Sequence, residues 1–320
     1  MMQVNGPADR SADSLTPRQV AVIIPTYNAA RYWDALSAGI LAQSFIPGRV
    51  TVIDSSSSDG TANLARRDGF TVVEISSKDF NHGGTRQMGA DLADGADILL
   101  YLTQDAAPHG KDAFRNLLQV FDDAEIGAAY GRQLPREDAN PIEAHARHFS
   151  YPAASGVRSW ESRQVNGFKS IFFSNAFGAY RRSALMSVGG FSPDVIFGED
   201  TLVVARMHRA GWKTAYVADA MVRHSHGYTI AEEFRRYFDV GVLHARENWL
   251  IDQFGSASGE GRRFVVSEMK HLITKHPHLV PSAMARTFAK YLGYKIGRRE
   301  KVIASGLKYH LGLNRQYWSR

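Results

Sequence analysis

Short β-branched runs that each stop at a polar group set the rhythm of the first hundred residues. Val20–Ile24 (VAVII), Val50–Ile53 (VTVI) and Ile98–Leu102 (ILLYL) are almost wholly apolar, the pattern of strands buried on both faces. They end at Pro25, at Asp54 and at Thr103-Gln104-Asp105. Between the first two, residues 29–43 carry apolar side chains at helical spacing and stop ahead of Pro47-Gly48, which predicts a helix. A polar turn (SSSSDGT, 55–61), a second helical stretch ending near Gly69 and a strand-like Thr71–Ile75 follow. This βαβαβ order predicts a doubly wound nucleotide-binding half in an α/β, mostly parallel sheet flanked by helices. Chemistry in such sheets collects at the carboxyl ends of the strands, so the polar residues that close these runs should meet in one crevice.

The pattern continues less regularly. Residues 176–180 read as a strand, Gly189-Gly190-Phe191 as a turn, and Gly198-Glu199-Asp200 leads into a helical Thr201–Arg206. Ala215–Val217 and Ala220–Val222 read as strands running into His224-Ser225-His226. Beyond Gly227 the spacing of Ile230, Phe234, Tyr237, Phe238, Val242 and Leu243 becomes helical. These segments divide the chain into an aperiodic, flexible N-terminus (1–18), one catalytic domain (19–227, with halves 19–108 and 109–227) and a helical tail (228–320).

Composition narrows the classes. A chain of 320 residues with 44% hydrophobic content can bury a sizeable core. The absence of cysteine excludes disulfides, thiolate metal sites and a cysteine nucleophile. No apolar run reaches the roughly 18 residues of a spanning helix, which points to a soluble or peripheral protein. The net charge of +6 hides an asymmetry: residues 261–320 hold 13 Lys and Arg against Glu268 and Glu300, while the first 260 hold 25 against 30 acidic residues. Basic amphipathic helices carrying Phe264, Phe288, Tyr291 and Tyr294 suit an anionic membrane surface; a solvated face of helices packed on the catalytic domain is the other reading. Nucleic acid is disfavoured as a partner, because the charge is confined to one end and no recognition motif stands out. Whether the tail drives a homo-oligomer is left open.

Pro25-Thr26-Tyr27-Asn28, VIDSSSSDGT (52–61), the strand-end acid at 105, Gly189-Gly190-Phe191 and Gly198-Glu199-Asp200 together resemble the family 2 inverting glycosyltransferases. That resemblance covers about two-thirds of the chain and implies a GT-A fold with a C-terminal helical extension. NHGGTRQMG (81–89), YLTQDAAP (101–108) and FRRYFDVGV (234–242) look more narrowly like bacterial rhamnosyltransferases. It implies transfer of L-rhamnose from dTDP-L-rhamnose to a lipid-linked glycan at the cytoplasmic membrane face. A UDP-hexose or GDP-sugar donor, or a nucleotidyl or phosphoryl transfer on a similar scaffold, are the competing readings.

The chemistry of such a transfer asks for particular groups. A nucleoside diphosphate leaves readily only when its developing charge is neutralised, commonly by Mg2+ or Mn2+ on carboxylates. Asp105 is the candidate ligand, although the family's Asp-x-Asp has Thr103 at its first position here, and Asp105 could instead cap a helix beginning near Lys111. By resemblance His224, and less readily His226, completes the metal site or touches the diphosphate. The donor set is Pro25, Tyr27, Asn28, Asp54, Asp59, Asn81, His82, Gly83, Arg86 and Gln104, with Asp54 on the ribose or base and the paired glycines and Arg86 near phosphate. Asx-turn and capping chemistry are the alternatives for Asp54 and Asp59. By resemblance Asp200 is the base that takes the acceptor hydroxyl proton, with Glu199 positioning it. Asn175 and Trp160, in the aromatic-rich stretch 132–183, are the acceptor-side candidates.

Overall fold

In the computed structural model, which describes residues 19–256 and 258–319, the expected rhythm is realised. The expected flexible segment 1–18 lies outside the described residues. The first half runs β1 (Val20–Thr26), α1 (Ala30–Leu41), β2 (Arg49–Asp54), α2 (Thr61–Arg67), β3 (Thr71–Glu74), α3 (His82–Leu92) and β4 (Ile98–Leu102). Then follow β5 (Ala107–His109), α4 (Ala113–Leu118), β6 (Ile126–Leu134), α5 (Pro141–Ser150), β7 (Gly156–Arg158), α6 (Arg163–Asn166) and β8 (Phe177–Arg181). The second half closes with α7 (Arg182–Ser187), α8 (Glu199–Arg209) and β9 (Lys213–Arg223). The tail contributes α9 (Ile230–Arg246), α10 (Asn248–Phe254), α11 (Ser258–Lys275), α12 (Val280–Gly297) and α13 (Ser305–Leu311).

Among the described residues nine strands make one mixed sheet in the order β3-β2-β1-β4-β8-β6-β9-β5, with β7 on β9. The parallel part is β3-β2-β1-β4, and its register sets Thr26 beside Asp54 and Asp54 beside Glu74, so the polar strand ends line up. Antiparallel β8 joins β4 to β6, which runs parallel to β9. Alternate residues of β4 face opposite ways: Leu99 and Tyr101 pack towards α8, while Ile98, Leu100 and Leu102 pack with Trp33 and Leu36 of α1 and Phe114 of α4. Coverage of both faces explains why those strands read as unbroken apolar runs. The helix expected from Thr201 starts earlier, at Glu199, because Gly198 at φ 77° turns the chain directly into it.

The tail folds back on the catalytic domain. Helix α12 crosses α9 at backbone distance: a Cβ added at Gly293 or Gly297 would overlap the carbonyl oxygens of Phe234 and Phe238, and one at Gly241 would overlap that of Tyr294. The opposite face of α12 keeps Met284, Phe288, Tyr291 and Leu292 exposed. Among the described residues no helix is long and apolar enough to cross a membrane. Gly297→Ala is expected to destabilise the protein by about 1–3 kcal/mol through overpacking. Gly306→Ala, where nothing lies within 4 Å of the new methyl, should not. Denaturant midpoints for the two variants test this, and equal midpoints would refute the close crossing.

Candidate active site

At the carboxyl edge of the parallel strands, the loops after β1, β2 and β4 are tied to one another by polar side chains. Asp54, buried at the end of β2, accepts from the Thr26 hydroxyl (2.9 Å), the Ser57 hydroxyl (2.6 Å) and the Ser57 amide (2.9 Å). Asp59 accepts from the Ala30 amide (2.9 Å) and the Thr61 hydroxyl (2.6 Å), so it organises the start of both α1 and α2. Asn28 sits at φ 49°, in the left-handed region that asparagine tolerates, and its side chain accepts from the Ser58 amide at 2.9 Å. Gln104 clamps Tyr27 from both sides, accepting from its amide (2.7 Å) and donating to its carbonyl (3.1 Å). The Tyr27 ring that this holds, following Pro25 and Thr26 of β1, is exposed.

Helix α3 begins at the Asn-His-Gly-Gly motif. Asn81 caps it by accepting from the Gly84 amide. A Cβ at Gly83 would overlap the Ser192 carbonyl, so this glycine is needed where α3 meets the turn after Gly190. The Phe191 amide donates to the Gln87 side chain at 2.9 Å across the same contact. Arg86, one turn into α3 and buried, meets Glu199 at 3.1 Å. Glu199 also accepts from the Asn175 side-chain amide (3.0 Å), whose oxygen accepts from the Tyr180 hydroxyl (2.7 Å). Asp200, its neighbour, accepts from the amides of Asn175 (3.1 Å) and Thr201 (2.7 Å). The two acids diverge in state. Burial works against ionisation of Glu199, but Arg86, with His82 and the hydrogen bond from Asn175, outweighs it and holds the group below its usual range. Burial, with the charge of Glu199 alongside, pushes Asp200 up to about 7.

The third cluster is made by strand pairing. Antiparallel β5 and β9 set Ala107 beside Arg223, which brings the residues just outside the ladder, Asp105 and His224, together. His224 Nε2 lies 3.4 Å and His226 Nδ1 3.6 Å from the Asp105 carboxylate. One ligand atom from each of the three fits within 4.8 Å of the others, a donor set that suits a divalent cation. His224 Nδ1 is engaged by the Gln133 side-chain oxygen at 2.8 Å, which leaves Nε2 facing Asp105 and fixes the ring as an outer-shell partner of a metal ligand does. Burial raises the Asp105 carboxyl while the adjacent imidazoles lower it, with a net displacement downward.

These groups share one space. A cavity of about 280 Å3 is lined by His82, Arg86, Asp105, Asn175, Glu199, Asp200, His224 and His226, and by Asp239 and Asn314 of the tail. A larger one of about 580 Å3 also reaches Asp200, His224 and His226 and is walled by Phe149, Tyr151, Phe168, Tyr237 and the cations Arg147, Lys169, Arg236 and Arg263. Asn175 therefore stands under the acid pair, whereas Trp160 lies away from the cavity wall, edge-on to Phe254 at 5.4 Å with Arg163 over its face. Sequence reading did not single out Gln133, Arg236, Asp239 or Asn314. Arg236 and Asp239, one turn apart within 234–242, carried a readable signal, since ionisable side chains on one helical face can share a target.

The chain matches the family described as Glycosyltransferase like family 2 over residues 17–238. It is 44% identical over 302 residues to the O-antigen chain rhamnosyltransferase RfbN of Salmonella typhimurium, covering 94% of this chain and 96% of that one. Against the O-antigen chain rhamnosyltransferase WbaN of Salmonella anatum it is 42% identical over 299 residues, covering 93% and 95%. Among solved structures, a mannosyltransferase from Pyrobaculum calidifontis in complex with GDP-Man and Mn2+ superposes with a TM-score of 0.55 at 20% identity, covering 97% of this chain and 88% of that one. That likeness carries the fold, the GT-A arrangement expected from the sequence.

Arg86→Met should cost about 3–5 kcal/mol, because it strands a buried carboxylate. Arg86→Met combined with Glu199→Met should recover most of that loss. Urea unfolding of both variants checks this, and losses that simply add would show that the two side chains are not coupled.

Proposed function

Because the chain belongs to glycosyltransferase family 2, we propose that it is an inverting rhamnosyltransferase that moves L-rhamnose from dTDP-L-rhamnose to a hydroxyl of a lipid-linked O-antigen precursor. The names of the relatives at 44% and 42% identity support the sugar and the pathway class. The observation that carries the mechanism is the single cavity holding Asp200 and the Asp105–His224–His226 cluster together.

In this reading Asp200 takes the proton of the acceptor hydroxyl as its oxygen bonds to the anomeric carbon. The bond from that carbon to the diphosphate oxygen breaks on the opposite face, and the nucleoside diphosphate departs with the electron pair. A carboxylate raised to about 7 is well matched to holding and releasing that proton. Glu199, neutralised by Arg86, keeps Asp200 aimed without competing for the proton. Asp105, His224 and His226 would hold a divalent cation, which when bound neutralises the charge developing on the diphosphate. Two imidazoles beside one carboxylate depart from an all-oxygen set and favour Mn2+ over Mg2+. The loops built on Asp54, Asp59, Asn28 and Gln104 form the nucleoside end, with the exposed Tyr27 ring as its contact surface. The larger cavity, aromatic and cationic, is suited to an acceptor that presents sugar rings and a diphosphate-linked lipid.

Transfer from a panel of dTDP-rhamnose, UDP-glucose, UDP-galactose and GDP-mannose to a lipid-linked acceptor tests the assignment. Only dTDP-rhamnose should serve, and a divalent cation should be required. Asp200→Asn should lower the rate by about 10²–10⁴-fold while donor binding persists. As a base, Asp200 must be charged, so the wild-type rate should fall about tenfold per pH unit below about 7. Full transfer by Asp200→Asn would remove the base assignment, and selection of another donor would remove the sugar.

The tail supports a location at the inner face of the cytoplasmic membrane. Met284, Phe288, Tyr291 and Leu292 recur at helical spacing on the exposed face of α12, with Lys295 continuing the row. Such a stripe inserts among lipid headgroups while its lysines meet anionic ones. Phe288→Glu with Tyr291→Glu should abolish flotation with phosphatidylglycerol vesicles and leave the fold intact. Undiminished flotation would exclude this face.

A further inference from the structure

The segment after α13 forms a strap across the cavity. The amides of Leu313 and Asn314 and the side-chain nitrogen of Asn314 all donate to one carboxylate oxygen of Asp239 on α9, at 3.1, 2.9 and 2.9 Å. The Gln316 side chain donates to the Ser77 carbonyl ahead of α3, and the Tyr317 hydroxyl donates to the Asp194 carbonyl ahead of α8 at 3.0 Å. Tyr317 and Trp318 pack with Ile196 and Phe238. The strap is thus fastened to α9, to the approach to α3 and to the approach to α8. Its residues Leu313 and Asn314 line the catalytic cavity and the adjoining one of about 210 Å3.

One contact there has chemical content. Asn314 Oδ1 lies 3.1 Å from His82 Nε2, at the first residue of α3. The amide has only one orientation, because its nitrogen must donate to the Asp239 carboxylate, which cannot donate in return. Its oxygen is thereby turned to His82, and Nε2 must carry the hydrogen. Burial lowers the proton affinity of His82, so the ring is neutral near pH 7 and Nδ1 is left with its lone pair. A neutral imidazole in that tautomer offers an acceptor at Nδ1. It suits a hydroxyl and gives no attraction to phosphate, in contrast to the phosphate-side role that the Asn-His-Gly-Gly motif suggests in sequence.

We propose that Asn314 is a positioning residue which, held by Asp239, fixes His82 as an acceptor for a hydroxyl of the donor sugar, so that the strap reads the sugar and leaves the nucleotide to the loops. This rests on reading the cavity as the nucleotide-sugar site.

The test compares two probes on the full chain with Mn2+: dTDP, which has no sugar beyond its deoxyribose, and dTDP-rhamnose. Asn314→Ala and His82→Ala should each weaken dTDP-rhamnose about tenfold, the loss of one well-placed hydrogen bond, and leave dTDP binding within about twofold. The donor KM should rise and the acceptor KM should not. Imidazole 15N NMR, with the His82 signal assigned from its disappearance in His82→Gln, should show the Nε2–H tautomer in the wild type and a mixture in Asn314→Ala, a change that loosened folding alone would not produce. Equal weakening of both probes, or none, overturns the inference while the nucleotide-sugar reading stands. A wild type that binds dTDP-rhamnose no better than dTDP, and no other nucleotide sugar either, overturns that reading and the inference with it.

Discussion

The buried pair of Arg86 and Glu199 is the constraint on which the site depends. Arg86 belongs to α3, which precedes β4, and Glu199 to α8, which precedes β9, and each is nearly sealed from solvent. A charge in that position is tolerated only with its partner in place, so the two halves have one relative setting. Everything that touches Glu199 inherits it: Asn175 is fixed from one side, Tyr180 fixes Asn175 from behind, and Asp200 is carried next door on the same helical turn. The same pair separates the two acids in character, leaving one ionised and one poised to exchange a proton.

The Asp105 cluster shows a second way of bringing distant residues together. Thr103 occupies a position where a second acid would serve, and the structure supplies imidazoles instead, carried just past the end of β9, which pairs with the three-residue β5 that follows Asp105. Gln133 on β6, the next strand across, then sets the angle of His224. Three strands therefore set the spacing of this cluster, and a shift in any one register would dissolve it.

How much of this could be read from the chain follows from the range of each interaction. VAVII, VTVI and ILLYL declared themselves because burial on both faces writes a local pattern, and the acids at their ends were found for the same reason. Glu199 and Asp200 were visible as neighbours after a glycine that has to turn. Gln133 was not, since its meeting with His224 depends on a β6–β9 pairing interrupted by register shifts, which no local pattern records. Trp160 was over-read, because an aromatic in a mixed segment has the same composition whether it faces a cavity or Phe254. In the tail, amphipathic spacing left two readings, and the structure seats α12 on α9 through glycines while an apolar row stays exposed.

The contact between His82 and Asn314 spans 232 positions. A chain emerging from the ribosome acquires its Rossmann-like strands early, from neighbours close in sequence, and could shape the nucleoside loops while most of the tail is still unmade. The cavity wall, however, waits for residues past 310. A chain lacking those residues would leave the cavity open beside His82. The cavity is therefore completed by a residue far along the chain from the helix it meets, after the sheet beneath it has been made.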